Sequence, residues 1–223
     1  TPGMPAYPPR YTQLQVVQPE HQYRTDASHK LGWKISANDD LVQMWLGTGP
    51  QIDGLGHLGE DGEFYNCHQG KDFAAITGLT KLDISQIPPM VARGVLIDVA
   101  KHLGVSHLSA AQPISTQDLQ SAMTEQKITV REGDVILLHT GYTDAFLEAD
   151  PQLWGSTIPG ITNDAARFLA SLKPLAVGAD TWGLGAVPPA PGDKVFYDHA
   201  ILLKQNGIYI LETMNTGRLA AEA

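Results

Sequence analysis

Four short runs of aliphatic residues recur along this chain, and each carries a polar residue at or next to its end. They are Val95–Val99, Val135–His139, Leu175–Asp180 and Ile208–Glu212. Runs of this length, rich in β-branched residues and bounded by turn signals, read as buried strands. Between them lie helix signals. Ser115 with Asp118 three residues later marks a helix start, and that helix is expected to run to Glu125. Thr162 caps a second helix through Leu172, and His199–Gln205 reads as one or two helical turns stopped by Asn206-Gly207. Strands that alternate with helices predict an α/β domain around a central, partly parallel sheet.

The stretch Gln51-Ile52-Asp53-Gly54-Leu55-Gly56-His57 carries the densest chemistry. Gln51 and Asp53 are two apart, so on a strand they share a face. Gly54 and Gly56 oppose a continuing helix. The segment therefore predicts a strand end with two oxygen ligands, then a turn that delivers His57 to the same place. His199 and Glu212 form a second pair. Residues 199–205, if helical, rise roughly 10 Å at about 1.5 Å each. A strand over 208–212 returns a comparable length at about 3.3 Å per residue. An Asn-Gly turn between them brings Glu212 back beside His199. Two imidazoles, two carboxylates and an amide oxygen suit zinc or manganese. The metal candidates are thus Gln51, Asp53, His57, His199 and Glu212. Asp53 or Glu212 can orient a water or take its proton.

Bulk properties narrow the partners. The 223 residues suit one domain, with a Pro-rich arm over residues 1–10. The formal net charge of -9 disfavours nucleic acid. No apolar run approaches the ~20 residues of a membrane span. The opening residues show no signal-peptide pattern, and Cys67 is the only cysteine, so a cytoplasmic protein is expected.

With these residues in view, the chain resembles the cyclase-like metal hydrolases, which include kynurenine formamidase, isatin hydrolase and trans-dienelactone hydrolase. The family motif is His-x-Gly-Thr-His-x-Asp-x-x-x-His, and the matching stretch here is Gly47 through His57. His139-Thr140-Gly141-Tyr142 and Gly178-Ala179-Asp180-Thr181-Trp182 resemble two further family segments. Phe196-Tyr197-Asp198-His199 and Ile208–Glu212 resemble its two C-terminal ligand segments. The likeness spans roughly residues 40 to 215. It implies a swivelling β/β/α fold, a mixed sheet curling toward a barrel with flanking helices. It also implies a homodimer or homotetramer acting on a small molecule.

Two departures stand out. The first two motif histidines are Gly47 and Gln51 here. The resemblance therefore implies one surviving metal site at Asp53, His57, His199 and Glu212, holding one divalent ion, zinc first and manganese second. Such an ion brings the pKa of a water toward about 7 and polarises a carbonyl. His57 and Glu212 are the catalytic candidates, and the ligand and proton-transfer roles of His57 compete. The implied reaction is hydrolysis of a cyclic or aromatic lactone or amide. Acid–base chemistry without metal, and ligand binding without turnover, are the alternatives.

Trp182, Tyr65 and His139 are the substrate-contact candidates, with core packing as the competing expectation for each. Trp33 and Trp45 are expected in the core. His21, His29, His102 and His107 are expected on solvated surfaces, and Glu60–Glu63 in an exposed turn.

Overall fold

A computed structural model describes residues 10–17 and 38–223. The Pro-rich arm up to residue 9, Trp33, His21 and His29 lie outside the described residues. The chain divides into two compact units, before and after the Thr48–Gly49 peptide.

In the first unit, strand β1 (Thr12–Val17) pairs antiparallel with β2 (Asp39–Met44), with Leu14 opposite Val42. Arg10 Nη1 donates to the Gly47 carbonyl at 3.0 Å. Trp45 departs from the core position expected for it, because its side chain follows a two-stranded ribbon with nearly every residue exposed and is itself 47 % exposed.

The second unit is built on five strands. They are β3 (Gln51–Asp53), β4 (Gly94–Asp98), β5 (Val135–His139), β6 (Ala176–Ala179) and β7 (Tyr209–Glu212). Their order across the sheet is β3-β7-β6-β5-β4. The last four run parallel, and β3 is antiparallel to β7. The mixed α/β class is the one expected. Among the described residues β3 and β4 lie at the two edges of this sheet. The β4 edge is covered by an amide: Asp98 N donates to Gln126 Oε1 at 3.0 Å, and Gln126 Nε2 donates to Asp98 O at 2.8 Å.

Helix α1 (Thr116–Glu125) starts where its cap predicts. Asp118 N donates to Ser115 Oγ at 3.2 Å, and Ser115 N donates back to Asp118 Oδ2 at 2.8 Å. Helix α2 (Asn163–Ser171) is capped by Thr162, whose Oγ1 accepts from Ala165 N at 3.2 Å. A short turn, α3 (Tyr197–His199), widens into a π-helical segment over Ala200–Gln205.

β5 and β7 alternate in burial, while β6 is buried throughout. Ile97, Ile136, Leu138, Val177 and Ile210 are buried and pack against Leu119 of α1, Leu169 of α2 and Leu202 of the π segment. The alternate residues Leu96, Leu137 and Leu211 are only half-buried. Each fully buried Leu or Ile contributes about 1.5–3 kcal/mol by leaving water. That core sets the strand ends, and the carboxyl ends of the parallel strands bring His139, Asp180 and Glu212 to one edge of the sheet. Open α/β sheets bind ligands at that edge.

Candidate metal centre

β3 puts Gln51 and Asp53 on one face, as its alternation predicts, and a turn follows in which His57 N donates to Gly54 O at 2.9 Å. Gly56 is needed in this turn, because a Cβ there would lie 2.6 Å from Leu79 Cδ1 and 3.0 Å from the Leu82 carbonyl. The turn swings His57 back over the strand, so His57 Nε2 stands 3.8 Å from Asp53 Oδ2.

The C-terminal pair arrives by the predicted return. Asn206 Nδ2 donates to the Ile201 carbonyl at 2.7 Å, and Gly207 turns the chain with φ +67°. β7 then carries Glu212 opposite Gln51 in the ladder. His199 Nε2 lies 3.1 Å from Glu212 Oε1 and 3.5 Å from Asp53 Oδ2. One ligand atom from each of Asp53, His57 and His199 lies within 4.8 Å of the others. Asp53, His199 and Glu212 are buried, while the His57 side chain is 44 % exposed.

Asp198 is a member of the site to which the sequence reading gave no role. Its Oδ2 lies 2.9 Å from His199 Nδ1, and it is 2 % exposed. A carboxylate next to a candidate histidine ligand was the available signal, since ligating imidazoles commonly donate their second N–H to a carboxylate.

The charges are unbalanced. Burial alone would lower the His199 pKa. Asp198 opposes it most strongly, followed by Asp53 and Glu212, and the imidazole is held well above its usual range. Burial lifts the Glu212 carboxyl to about 7 against the pull of His199, and the negative charges of Asp53 and Asp198 add to the rise. Three carboxylates thus crowd one buried imidazole. One carboxylate oxygen and two imidazole nitrogens converging under excess negative charge fit a divalent cation.

Beside this cluster runs a groove of about 320 Å³. Asp53 and His57 line it on one side, and Leu79, Leu82 and Ile84 form an apolar wall. None of those three apolar residues stood out in the sequence. Trp182, Tyr65 and His139 are not among the groove-lining residues. The Trp182 indole donates to the Trp154 carbonyl and packs with Tyr142 and Ile158. The Tyr65 ring lies against Gly207, where an added Cβ would stand 2.6 Å from it. His139 Nδ1 is 2.8 Å from Thr216 Oγ1, in a separate buried group where Thr140 N and Oγ1 both donate to Asp180 Oδ1 at 2.8 Å. His102 pairs with Glu125 at 2.6 Å, and His107 lies edge-on to Phe146. Glu60 and Glu63 bridge a tight exposed turn at Asp61-Gly62, as the sequence predicts.

A family model described as "Putative cyclase" matches residues 1–186. The chain belongs to the cyclase family. Solved cyclase-family folds superpose on it. A crystal structure of a novel cyclase is 25% identical at a TM-score of 0.81, covering 100% of this chain and 73% of that one. Isatin hydrolase A from Ralstonia solanacearum is 18% identical at 0.64, covering 98% and 77%. A predicted metal-dependent hydrolase from Bacillus stearothermophilus is 18% identical at 0.58, covering 97% and 79%. No curated protein matches the chain. The cyclase match ends before α3 and β7, so His199 and Glu212 join the centre on geometry.

Proposed function

We propose that this cyclase-family protein is a metal-dependent hydrolase of a small, uncharged cyclic or aromatic lactone or amide. One observation carries the reading: Asp53, His57, His199 and Glu212 converge at the edge of a ring-sized apolar groove. Asp53, His199 and Glu212 would hold one divalent ion, zinc first and manganese second, with His57 serving either as the fourth ligand or as the proton carrier. Bound there, the ion supplies Lewis-acid polarisation of a carbonyl and an acidic water.

The chain's own groups divide the remaining work. Leu79, Leu82 and Ile84 bind the apolar body of the substrate and exclude water. Asp53 and Asp83 are the charged carboxylates on the groove lining, which disfavours an anionic substrate. His57 lines the groove and is the most exposed of the four, so it is placed to pass a proton to the leaving group. Glu212 and His199 are absent from the lining and serve to hold the ion.

Two wider features belong to the same reading. The β1–β2 ribbon exposes Leu14, Val16, Val42 and Met44 on one face, which supports a homodimer or homotetramer. A cytoplasmic location agrees with the single cysteine. No helix among the described residues is long and apolar enough to cross a membrane.

Elemental analysis together with a lactone and amide panel tests the function. About one equivalent of zinc or manganese is expected, as is hydrolysis that a His57→Ala change abolishes. Metal-free protein after incubation with excess Zn²⁺ and Mn²⁺ would favour acid–base chemistry at Asp53, His57 and Glu212 or binding without turnover.

A further inference from the structure

Gln51 faces Glu212 across the ladder and shares its side of β3 with Asp53. Its Nε2 donates to Glu212 Oε2 at 2.7 Å and to Asp53 Oδ1 at 3.1 Å. The amide nitrogen carries two protons, and these two bonds take one each. Held ionised by a bound cation, both carboxylates only accept, so the nitrogen and not the oxygen faces them, as it does here. The remaining oxygens, Asp53 Oδ2 and Glu212 Oε1, are the ones that face His199 Nε2. Each carboxylate is therefore split into an outer oxygen bound by Gln51 and an inner oxygen turned to the imidazole.

We propose that Gln51 is a positioning residue and not a ligand. Its amide brackets the two carboxylates, fixes which oxygen each presents, and confines the centre to one ion. This role rests on the metal-hydrolase reading above. The physical reason is that two buried carboxylates side by side demand positive charge on both their inner and outer oxygens. A neutral amide answers the outer demand with two N–H dipoles and adds no net charge. The outer oxygens then have no call for a second cation.

The test is Co²⁺ titration of the full chain after chelator treatment, read by calorimetry and by the visible spectrum of the ion. It compares the wild type with Gln51→Met and Gln51→Glu. The wild type should take up about one equivalent. Gln51→Met keeps the shape and loses the donors, so affinity should fall about 10- to 100-fold. Stoichiometry and band shape should stay unchanged. Gln51→Glu removes both protons and adds a third acceptor, and it should recruit a further, weaker equivalent. A changed cobalt band in Gln51→Met would make Gln51 a ligand and overturn the proposal, as would unchanged affinity. A single equivalent in Gln51→Glu would overturn the confinement to one ion.

If the variants do not fold, the wild type still decides the point. In ¹⁵N-glutamine-labelled protein, both Gln51 side-chain amide protons should stay downfield and slow to exchange, before and after Zn²⁺. Their release on loading would overturn the role. Wild-type protein that takes up no Co²⁺ fails the metal reading itself and this role with it. Normal wild-type uptake with an indifferent Gln51→Met fails this role alone.

Discussion

The buried carboxylate of Asp198 lies 2.9 Å from Nδ1 of the adjacent His199, and the other nitrogen of that ring faces Glu212 and Asp53. The Nδ1–H bond fixes the ring orientation and leaves Nε2 as the donor atom for an ion. An Asp198→Asn change should weaken Zn²⁺ binding by about 10- to 100-fold. Competition against a chelating dye measures it. Unchanged affinity would mean that the ring is held by packing alone.

Protonation and metal uptake should oppose each other. Burial raises Glu212 to about 7, and the surrounding carboxylates raise His199. Groups raised on folding contribute stability below their unfolded pKa values and lose it as pH climbs through the folded ones. Metal-free protein should therefore lose thermal stability from Glu212 as pH rises from its unfolded value of 4.5 to about 7, whereas Zn²⁺ affinity should grow across the same range. Melting curves with chelator and with Zn²⁺ test both halves. A Tm in chelator that does not respond to pH would refute the coupling, and Glu212→Gln should flatten the response.

The Arg93–Asp134 pair anchors the start of β5. Arg93 Nε and Nη2 donate to Asp134 Oδ1 and Oδ2 at 3.0 and 2.6 Å, and Arg131 N adds a third bond. Arg93, followed by Arg131, holds the Asp134 carboxyl below the usual carboxylate range. A carboxylate lowered on folding contributes stability above its unfolded pKa and loses it as pH falls through the folded value. Asp134→Asn should lower Tm at neutral pH, and the deficit should shrink in acid. Parallel melting curves of the two proteins over an acid series would show whether it does; a constant deficit would remove the ion pair as its cause.

Gly207 closes the turn that returns Glu212 to His199. Its φ is +67°, and the Tyr65 ring occupies the space of a side chain. Gly207→Ala should cost about 1–2 kcal/mol from the left-handed backbone, with ring displacement added. Denaturant unfolding measures the loss. Stability equal to wild type would show that the turn relaxes freely.

Much of the fold was legible in the residues. Aliphatic runs over β4 to β7 gave strands because a short apolar run bounded by turn signals is a local pattern. Ser115 and Thr162 gave helix starts because a cap bonds within three residues. Asp53 and His57 were legible because a strand end and a two-glycine turn fix their spacing. The return of Glu212 to His199 was legible because a helical segment and a strand of matched reach flank Asn206-Gly207.

Other features depended on contacts far apart in sequence. The apolar groove wall at Leu79, Leu82 and Ile84 has no periodic signature, and only close approach to Gly54 and Gly56 puts it beside Asp53. Trp182 and Tyr65 are aromatic rings that could face either a substrate or the interior. Trp182 packs with Trp154 in a buried cluster, and the half-buried Tyr65 ring lies against Gly207, contacts that spacing does not reveal.

The sequence by itself determined the strands and the caps and singled out Asp53, His57, His199 and Glu212 as candidates, because propensity, capping and local spacing act over a few residues. Only the tertiary structure decided that β3 runs antiparallel to β7 with Gln51 opposite Glu212, residues 161 apart in the chain. That register is set by long-range hydrogen bonding and by burial of one sheet face. From it follow the bracketed carboxylates, the unbalanced charge and the place for an ion.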